Sequence, residues 1–399
     1  MGPPLLRLAF LTSLIPVARP DTGFEIANAA ILDALRAAGH EVVAIGFTRP
    51  GEVPVDRDHA AVVAETDIEN AVVSPGRRLR WIAAALGSGL PVSCAKLRMA
   101  GAGRLVEAVR ANGPFDAIVL NSVMLPGAFP ELLSLGPCVL IEHNIEHVSA
   151  RQSAGHARNP VLRRLFRREA RLLEAIERRL WQQVRFVWTL SEEDRVALGP
   201  ALADRSAVLP LVSSRQAAPA SAQEPVSEPS HDVGLIGTWT WTPNFIGLDW
   251  FLRAVCPLLP ADITVAIAGR LPAGMATVPR GVTLLGRVPE AEAFLRSCRI
   301  VALSSRAGTG VQLKTVEALQ LGLPAVATTL SCRGFATMPG NVTLADTPAE
   351  FAKALVARVT ASRAGDRQRV DGAAFLARQQ QALSQGLARG LAAARGDQR

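Results

Sequence analysis

The sequence of 399 residues contains no tyrosine, and its five cysteines lie far apart without any CxxC pair. Cysteines spaced in this way form neither a disulfide scaffold nor a structural zinc site, and they favour a reducing cytoplasm. No apolar run reaches the roughly 18 residues that a membrane span requires. The longest candidate, 81–95, is interrupted by two glycines, a proline and two serines. These absences argue against a small disulfide-rich protein and predict a chain that does not cross a bilayer.

The composition predicts two or three globular domains. Apolar residues make up 49% of the chain and charged residues 20%, which is enough for each domain of roughly 100–200 residues to bury a core. Wholesale disorder is therefore excluded. The segment 5–17 has the length of a signal-peptide core, but no small-residue cleavage site follows it, so we favour a first buried strand.

The first half of the chain alternates short apolar strands with helical periodicity. Strands are predicted at 6–15 and 40–46, with a helix at 24–38 between them and Gly39 just past its end. Such a βαβ unit implies a parallel sheet covered by helices. Further strands are predicted at 117–121, 138–141 and 185–190.

A domain boundary is predicted at 213–231, because this stretch has three prolines, many small polar residues and no aromatic residue. The strand–helix alternation then restarts. Strands are predicted at 233–236, 263–268, 282–285, 300–304 and 325–328, and helices at 245–258, 290–297 and 311–321. The predicted domains are 1–212, 232–360 and a helical segment, 361–399. The predicted fold class is α/β, with two doubly wound, Rossmann-like domains facing across a cleft at the carboxyl ends of their strands.

The densest functional signal is the segment 304–328. It places a loop with Gly308 and Gly310 between a strand and a helix whose first turns carry Lys314 and Glu317. Backbone N–H groups at a helix start, with glycines that allow close approach, suit a phosphate or diphosphate. Lys314 adds a positive charge, and Glu317 lies on the same helix face, where it can accept hydrogen bonds from ribose hydroxyls. The alternative is an ordinary strand–loop–helix with a solvated Lys–Glu pair.

Three ordered motifs resemble the family-four retaining glycosyltransferases, also called glycosyl transferases group 1, which have the two-domain GT-B fold. The segment that begins at Gly308 is similar to the pattern G-x-G-V-x-x-K-x-x-E-A-L-x-x-G-x-P-V-V of the polysaccharide and glycolipid branch. Residues 232–250 resemble the opening strand and glycine turn of the nucleotide domain, and residues 282–288 resemble the strand and turn that hold the nucleobase. Residues 1–200 agree in organisation and in the local segment 141–151.

The resemblance implies transfer of a sugar from a nucleotide diphosphate-sugar, with retained anomeric configuration and without a required metal or other cofactor. The N-terminal domain is then the acceptor side and the C-terminal domain the nucleotide-sugar side. The implied acceptor is a glycan or lipid-linked glycan in polysaccharide or cell-envelope biosynthesis, and the implied enzyme is a hexosyltransferase. Two alternatives stay open, a non-catalytic nucleotide-sugar-binding scaffold and a two-Rossmann nucleotide-sugar epimerase.

The resemblance also implies roles for single residues. The implied catalytic residues are His143, Glu317 on the donor's ribose and Lys314 on its diphosphate. The implied donor-binding residues are Gly23, Gly237, Arg270, Arg287, Val288, Gly308, Thr309, Gly310 and Val311. Thr309 stands where the family often has a glutamate, which makes the scaffold alternative worth keeping. The usual basic residue of the opening turn is missing from GTWTWTPN. Arg270 is the candidate to supply that positive charge. The alternative is that Arg270 is a surface residue that closes a strand.

His143 belongs to IEHNIEH, directly after an apolar strand. A histidine there can donate to a sugar hydroxyl or to a developing charge. A metal site with Glu146 and His147 is disfavoured, because the motif is not HExxH and lacks a third ligand. Histidines satisfied by backbone carbonyls are another alternative. Asp56 and Asp58 form a D-x-D, but they lie in a polar loop and not at a buried strand end, so a metal is disfavoured there too.

Two tryptophans flank the Gly237 turn. Trp239 and Trp241 can stack on a sugar or acceptor, although half-buried packing is the favoured interpretation.

The segment 158–185 begins and ends with arginines, Arg158 and Arg185, and carries nine arginines and three glutamates, a local charge of +6 within a total of +8. Its leucines keep helical spacing, which predicts a helix with one packed and one basic face. With Arg77, Arg78, Arg80 and Trp81 ahead of apolar 82–90, it predicts docking to an anionic membrane surface. The predicted location is therefore cytoplasmic, peripheral at the inner face of the membrane. A solvated structural helix is the alternative, and nucleic acid is disfavoured because aromatic residues are not interleaved with the charges.

Overall fold

The computed structural model describes residues 5–18, 22–67, 73–101, 103–157, 159–213, 229–272, 278–366 and 368–396. The chain folds into two compact units, one of residues 1–214 with 381–399 and one of residues 215–380; we call them unit 1 and unit 2. The predicted C-terminal segment, 361–399, is therefore divided between the units. Most of the predicted linker lies outside the described residues, and its last residue, His231, already belongs to a strand.

Unit 1 is built on a parallel sheet of seven strands in the order β3-β2-β1-β4-β5-β6-β7. The strands are β1 (Arg7–Thr12), β2 (Glu41–Thr48), β3 (Ala60–Glu65), β4 (Ala117–Asn121), β5 (Cys138–Glu142), β6 (Phe186–Thr189) and β7 (Ser206–Val208). Strands β4, β5 and β6 are buried along their whole length, as expected of parallel strands with both faces covered. Their uninterrupted apolar runs are the reason that the sequence predicted them.

The helices of unit 1 connect these strands. They are α1 (Gly23–Ala37), α2 (Pro75–Ser88), α3 (Val92–Gly101), α4 (Arg104–Asn112), α5 (Met124–Ala128), α6 (Glu146–His156), α7 (Pro160–Gln183) and α8 (Glu192–Ala197). Helix α1 begins with a capping box in which Thr22 and Glu25 satisfy each other's backbone N–H groups. The Glu25 carboxylate also binds Arg49 at 2.6 Å. The start of α1 is thereby fixed beside the end of β2.

Unit 2 contains a parallel sheet of six strands in the order β10-β9-β8-β11-β12-β13. The strands are β8 (His231–Ile236), β9 (Val265–Ala268), β10 (Val282–Gly286), β11 (Cys298–Leu303), β12 (Ala325–Ala327) and β13 (Val342–Leu344). The helices are α9 (Thr242–Trp250), α10 (Ala291–Arg296), α11 (Leu313–Gln320) and α12 (Pro348–Arg363), and α13 (Gly372–Arg395) begins in unit 2. The two sheets confirm the prediction of two doubly wound α/β domains.

The predicted helix 245–258 is wrong in detail. Helix α9 ends at Trp250, and a π-helical turn, Phe251–Val255, and a 3₁₀ turn, Cys256–Leu258, follow it. Pro257 lies in that 3₁₀ turn, and proline has no N–H with which to continue an α-helical hydrogen-bond ladder.

Charged side chains at the amino ends of β8 and β9 are paired with one another. The Asp232 carboxylate binds Arg363 at 2.7 Å and Arg299 at 3.3 Å, and Asp262 also contacts Arg363. Arg363 is the last residue of α12, so this cluster ties that helix to the sheet. The arginine holds the pKa of Asp232 below its usual value despite the opposing effect of burial.

The second half of helix α13 belongs to unit 1. The indole Nε1 of Trp188 in β6 donates to the Gly386 carbonyl at 2.8 Å. A Cβ atom at Gly390 would lie 2.3 Å from the same indole ring, so the helix can approach this closely because glycine has no side chain there. Leu383, Leu387 and Leu391 are each 3% exposed. The end of the chain therefore completes the packing around β6.

All five cysteines are buried and form no disulfide. Among the residues that the structure describes, no helix is long and apolar enough to cross a membrane.

Candidate active site

The carboxyl edge of the sheet in unit 2 gathers most of the predicted donor-binding residues. Because β10, β9, β8 and β11 are parallel neighbours, the loops that follow them emerge at the same edge. Gly237 follows β8, Arg270 follows β9, Arg287 follows β10, and the Gly308 loop follows β11. The sequence placed these residues in four separate segments, and the topology brings the segments to one edge.

The turns after β8 and β9 are in contact through their backbones. Gly269 has φ +112°, and a Cβ atom there would lie 1.9 Å from the carbonyl oxygen of Gly237. The Gly269 N–H donates to the Gly286 carbonyl at 2.7 Å, which adds the turn after β10. Only glycine fits this position. The sequence prediction missed Gly269, because its requirement comes from strands distant in sequence.

The two tryptophans of the opening turn have different surroundings. Trp239 is 2% exposed and donates its Nε1 hydrogen to the Ala268 carbonyl at 2.8 Å, so it packs inside the unit. Trp241 is 43% exposed. Its ring lies beside Gly308, where a Cβ atom would be 3.8 Å from it. Packing explains Trp239, whereas Trp241 keeps a ring face at the edge of the glycine loop.

The loop between β11 and α11 is held by buried hydroxyl groups. Ser331 Oγ accepts from the Ser305 N–H at 2.9 Å, and Thr315 Oγ1 donates to the Ser331 carbonyl at 2.7 Å. Gly308 and Gly310 both have positive φ, +108° and +78°. The loop and the first turn of α11 are therefore fixed in a conformation that requires glycine at both positions.

Two of the predicted donor-binding residues, Thr309 and Val311, lie in this loop and differ in burial. Thr309 is 2% exposed, and Val311 is half-buried. Thr309 therefore packs inward, whereas Val311 is partly open to solvent.

Lys314 is a half-buried cation in the first turn of α11. Its Nζ donates to Asn244 Oδ1 at 3.2 Å and lies 5.5 Å from the centroid of the Trp239 ring. Asn244 Nδ2 donates to the Thr238 carbonyl, which turns its Oδ1 towards the lysine. Burial lowers the pKa of Lys314 to about 8. Within the described part of the chain, no carboxylate lies at ion-pair distance from Lys314.

Asn244 was missed by the sequence prediction. The signal for it was a polar side chain in the WTPN segment at the start of a helix, at the turn where the family's basic residue is lacking.

The remaining predicted donor-binding residues differ in their exposure to solvent. Glu317, one turn after Lys314, is half-buried, and so are Arg270 and Val288. Val288 packs against the apolar core around β11, and Arg287 is exposed. This placement leaves the predicted roles of these residues as predictions.

The carboxyl edge of the sheet in unit 1 carries His143. The side chain is 8% exposed, its Nε2 lies 2.6 Å from Asn121 Oδ1 at the end of β4, and its ring centroid lies 4.9 Å from that of Phe24 in α1. Burial lowers the pKa of His143 to about 4, so the imidazole is neutral near pH 7. Gly23 is the exposed first residue of α1, next to Phe24.

The neighbouring Glu146 and His147 have a structural role. Glu177 of α7 accepts from the Glu146 N–H at 2.6 Å and binds the His147 ring, so it caps the first turn of α6. Burial and the nearby Glu177 raise the pKa of Glu142 well above its usual value and that of Glu146 to about 7.

The two metal alternatives gain no support from the geometry. In the described ranges, no group of three or more histidine, cysteine, aspartate or glutamate side chains is arranged to hold a metal ion. Asp56 instead pairs with Arg36 at 3.1 Å and with His59 at 3.0 Å.

The basic helix α7 contacts the end of α2. Arg168 donates to the carbonyls of Ala85 at 2.7 Å and Leu90 at 3.1 Å. Trp81, predicted for the docking face, is only 4% exposed. Its ring packs within unit 1 beneath Arg77 and Lys96, so that part of the prediction is wrong.

Arg158 lies outside the described residues. Four large apolar side chains of α2 and α7 are exposed, Leu79 (67%), Leu86 (59%), Val161 (73%) and Leu162 (47%).

Residues 230–360 match the family model described as Glycosyl transferases group 1. Among solved structures, sucrose-phosphate synthase from Thermosynechococcus elongatus is similar with a TM-score of 0.63 at 16% identity, covering 96% of this chain and 96% of its own. HepE from Anabaena, in complex with UDP and glucose, has a TM-score of 0.59 at 16% identity, over 97% of this chain and 99% of its own. WaaG, a glycosyltransferase involved in lipopolysaccharide biosynthesis, has a TM-score of 0.59 at 16% identity. The match covers 96% of this chain and 98% of the WaaG chain.

These likenesses span nearly the whole chain and confirm the predicted GT-B fold class. The sequence matches no curated protein.

Proposed function

Because residues 230–360 match the family model described as Glycosyl transferases group 1, we propose that this chain is a retaining glycosyltransferase that uses a nucleoside diphosphate-sugar. The proposed acceptor is a hydroxyl group of a glycan or of a lipid-linked glycan in polysaccharide biosynthesis. The donor class is supported by the complexes of HepE with UDP and with UDP-glucose. WaaG, with its role in lipopolysaccharide biosynthesis, supports the acceptor class.

Lys314 is the observation that carries this proposal. A half-buried cation normally has an acidic partner, because burying an unpaired charge is costly. Lys314 instead has a neutral amide and an aromatic ring as partners. It also lies in the first turn of α11, where backbone N–H groups and the helix dipole favour an anion. A diphosphate beside the Gly308 loop would satisfy both groups.

The proposed reaction exchanges one bond at the anomeric carbon for another. The bond to the diphosphate oxygen breaks, and the charge that develops on the leaving group is stabilised by Lys314 and the start of α11. The acceptor oxygen forms the new bond on the same face of the sugar, and its proton passes to the leaving phosphate. Glu317 holds the donor through its ribose.

Metal independence is a further part of the proposal, because Lys314 supplies the positive charge that a metal ion would bring to the leaving diphosphate. Sugar transfer should therefore persist in excess EDTA. Loss of activity in EDTA that manganese restores would contradict this part of the proposal and return attention to Asp56 and Asp58.

The proposal can be tested by thermal unfolding in the presence of a panel of nucleoside diphosphates and their sugars. A ligand at 100 times its Kd stabilises the folded state by about 2.7 kcal/mol. We expect stabilisation by at least one nucleoside diphosphate-sugar, and loss of that stabilisation in Lys314→Gln. A panel that leaves the melting temperature of the wild-type protein unchanged would contradict the proposal.

Turnover then separates the two alternatives. Binding without sugar transfer to any acceptor would favour the scaffold, and conversion of the donor without an acceptor would favour the epimerase. A glycosyltransferase requires both substrates for product.

We also propose that the α2–α7 face holds the enzyme at an anionic membrane surface. Its exposed side chains combine arginines with the apolar Leu79, Leu86, Val161 and Leu162. Each lysine or arginine near such a surface contributes about 1 kcal/mol, screened over about 8 Å at physiological salt. Arg163, Arg164 and Arg167 are the residues to replace, because Arg168 also anchors α7 to α2.

Sedimentation with vesicles that contain anionic lipid tests this surface. We expect binding at low salt, release at high salt, and loss of binding when the three arginines are changed to glutamine. The melting temperature and donor binding should be retained in that variant. Wild-type protein that ignores anionic vesicles at low salt would make α7 a solvated structural helix and a soluble acceptor the better candidate.

A further inference from the structure

The chain leaves the sheet of unit 2 at the end of β11, where its backbone groups need new hydrogen-bond partners. Strand β11 pairs with β12 up to Leu303, and the Thr328 N–H donates to the Leu303 carbonyl at 3.0 Å. The N–H and carbonyl of Ser305 lie beyond this pairing, although Ser305 is only 2% exposed. Buried backbone groups are costly unless they are hydrogen-bonded. The partners of Ser305 come from the segment that follows β12.

The hydroxyl groups of Thr328 and Ser331 are those partners. Thr328 Oγ1 donates to the Ser305 carbonyl at 2.7 Å, and Ser331 Oγ accepts from the Ser305 N–H at 2.9 Å. Ser331 Oγ donates its own hydrogen to the Leu303 carbonyl at 2.6 Å. A hydroxyl both donates and accepts, so the Ser331 side chain links two backbone groups at the end of β11. The side chain of Ser331 thereby fixes the start of the Gly308 loop.

The main chain of Ser331 fixes the other end of this loop. Its carbonyl accepts from Thr315 Oγ1 at 2.7 Å, and Thr315 follows Lys314 in the first turn of α11. Thr315 and Ser331 are both fully buried. The hydroxyl and the carbonyl of one residue are joined by only a few covalent bonds, so their separation varies little. We call these two contacts of Ser331, one with Ser305 and one with Thr315, the Ser331 bridge.

The segment between the two ends of the bridge, 306–314, contains the predicted phosphate-binding groups of unit 2. They are the backbone of the Gly308 loop, the start of α11 and Lys314. Gly308 and Gly310 have positive φ, and glycine loses more conformational freedom on folding than any other residue. Stabilisation of an anion depends on donors that are already aimed at it. The geometry of this segment therefore depends on how its ends are held.

We propose that Ser331 is a positioning residue that sets the spacing between the Gly308 loop and the start of α11, so that the two together fit a diphosphate. The ligand rests on the proposed function, whereas the bridge is a property of the protein by itself. A diphosphate can contact the loop and the helix start at the same time, while a single phosphate can be held by one of them. Breaking the bridge should therefore weaken the binding of nucleoside diphosphates more than that of nucleoside monophosphates.

Hydrogen exchange followed by mass spectrometry tests the bridge in the full chain without any ligand. Ser331→Ala removes the contact with Ser305, and Thr315→Val removes the contact with the Ser331 carbonyl while keeping the shape of the side chain. Each variant should make the peptide that covers 305–315 exchange about tenfold faster. Thr315→Ser keeps the hydroxyl and should exchange like the wild type. Wild-type exchange rates in both Ser331→Ala and Thr315→Val would overturn the proposal whether or not a donor is found.

Titration calorimetry with matched nucleotides tests the link to the ligand. The probes are UDP, GDP, ADP and dTDP, each compared with its monophosphate. Ser331→Ala and Thr315→Val should raise the Kd of the diphosphate that the wild type binds by about tenfold, and the Kd of its monophosphate by about threefold or less. Thr315→Ser should keep the preference of the wild type. Equal losses for diphosphate and monophosphate would overturn the proposal, because the bridge would then not set the spacing.

Ser206→Ala is the matched control in unit 1. Ser206 in β7 is also fully buried, and its Oγ donates to the Leu202 carbonyl at 2.7 Å. This variant should lower the melting temperature by an amount similar to Ser331→Ala and leave both nucleotide binding and the exchange of 305–315 unchanged. Similar effects of both variants on diphosphate binding would overturn the positioning role of Ser331.

The outcomes separate this proposal from the proposed function. A wild-type protein that binds none of the nucleotides would contradict the proposed function and the ligand assigned here, while hydrogen exchange would still decide whether the bridge exists. A wild-type protein that binds a diphosphate, with Ser331→Ala and Thr315→Val binding it equally well, would overturn the positioning role alone. If Ser331→Ala does not fold, the comparison of Thr315→Val with Thr315→Ser decides both tests.

Discussion

The carboxyl edges of the two sheets have the same architecture but differ in the charge that they present. In unit 2 the edge presents Lys314 at a helix start, and in unit 1 it presents the neutral ring of His143. Each of these side chains has an asparagine as its hydrogen-bond partner, Asn244 for Lys314 and Asn121 for His143. An amide orients a side chain without cancelling or inducing a charge. The comparison teaches that the same device, an asparagine partner, is used for a cation in unit 2 and for a neutral ring in unit 1.

The amino edge of unit 2 supplies a contrast. There Arg363 and Arg299 are paired with aspartates, as expected of charges that serve the fold. Lys314 differs from them because its partners among the described residues, an amide and an indole ring, carry no negative charge.

Removing the positive charge of Lys314 should have the largest effect on donor affinity. Lys314→Gln retains most of the side chain and its contact with Asn244 but not the charge, so donor affinity should fall by about 3 kcal/mol, or roughly 150-fold. Titration calorimetry with the nucleoside diphosphate-sugar measures the effect, with the melting temperature of the apo protein as the control for folding. A variant that folds and binds the donor as tightly as the wild type would remove Lys314 from the site.

Glu317→Ala should have the next largest effect. The loss of a carboxylate that hydrogen-bonds a ribose costs about 1.5–3 kcal/mol, or one to two decades in donor affinity. The same titration with a deoxyribose donor is the matched control, because that donor should bind the variant and the wild type with a smaller difference. Equal losses for both donors would argue against a ribose contact.

Donor affinity should also depend on pH. The pKa of Lys314 is about 8, so the fraction of charged lysine in the free protein falls about tenfold between pH 7 and pH 9, and affinity should fall with it. The Lys314→Gln variant provides the control, since its affinity should be nearly constant over the same range. A wild-type affinity that is flat from pH 7 to 9 would mean that the lysine charge does not contact the donor.

The smallest expected effect is that of Asn244→Asp, which replaces the amide partner of Lys314 with a carboxylate. The new pair should raise the pKa of Lys314 and weaken donor binding by about 1 kcal/mol, or roughly fivefold. Asn244→Ala separates the two contributions of the residue, because it removes the orienting hydrogen bond without adding charge. If Asn244→Asp binds the donor more tightly than Asn244→Ala, a neutral partner is not what keeps the charge of Lys314 available to the donor, and the comparison between the two edges is wrong.

Much of the fold was predictable because its signals are local. The strands β4, β5 and β6 are continuous apolar runs, and α1 has a capping box and a helix period within 15 residues. Strand β3 was missed because its sequence, AAVVAE, is short and half-exposed. The division of α13 between the units was missed for another reason. Gly386 and Gly390 are required by Trp188 almost 200 residues away, and no local pattern records such a contact.

The candidate site also combines residues with local sequence signals and residues whose roles depend on distant segments. The Gly308 loop with Lys314 and Glu317 was found because these residues lie within one strand–loop–helix segment. Gly269 and Asn244 were missed because their roles arise between neighbouring strands and helices. His143 was also chosen from the sequence, whereas its partner Asn121 was missed because it lies 22 residues earlier, at the end of a neighbouring strand.

The second half of helix α13 has a consequence for biosynthesis. A chain made from its amino end presents residues 215–380 before the residues that pack on Trp188, so unit 2 is complete while unit 1 still lacks part of its core. Until the second half of α13 leaves the ribosome, the apolar surface around β6 stays uncovered. The first unit to be translated is therefore the last to finish folding.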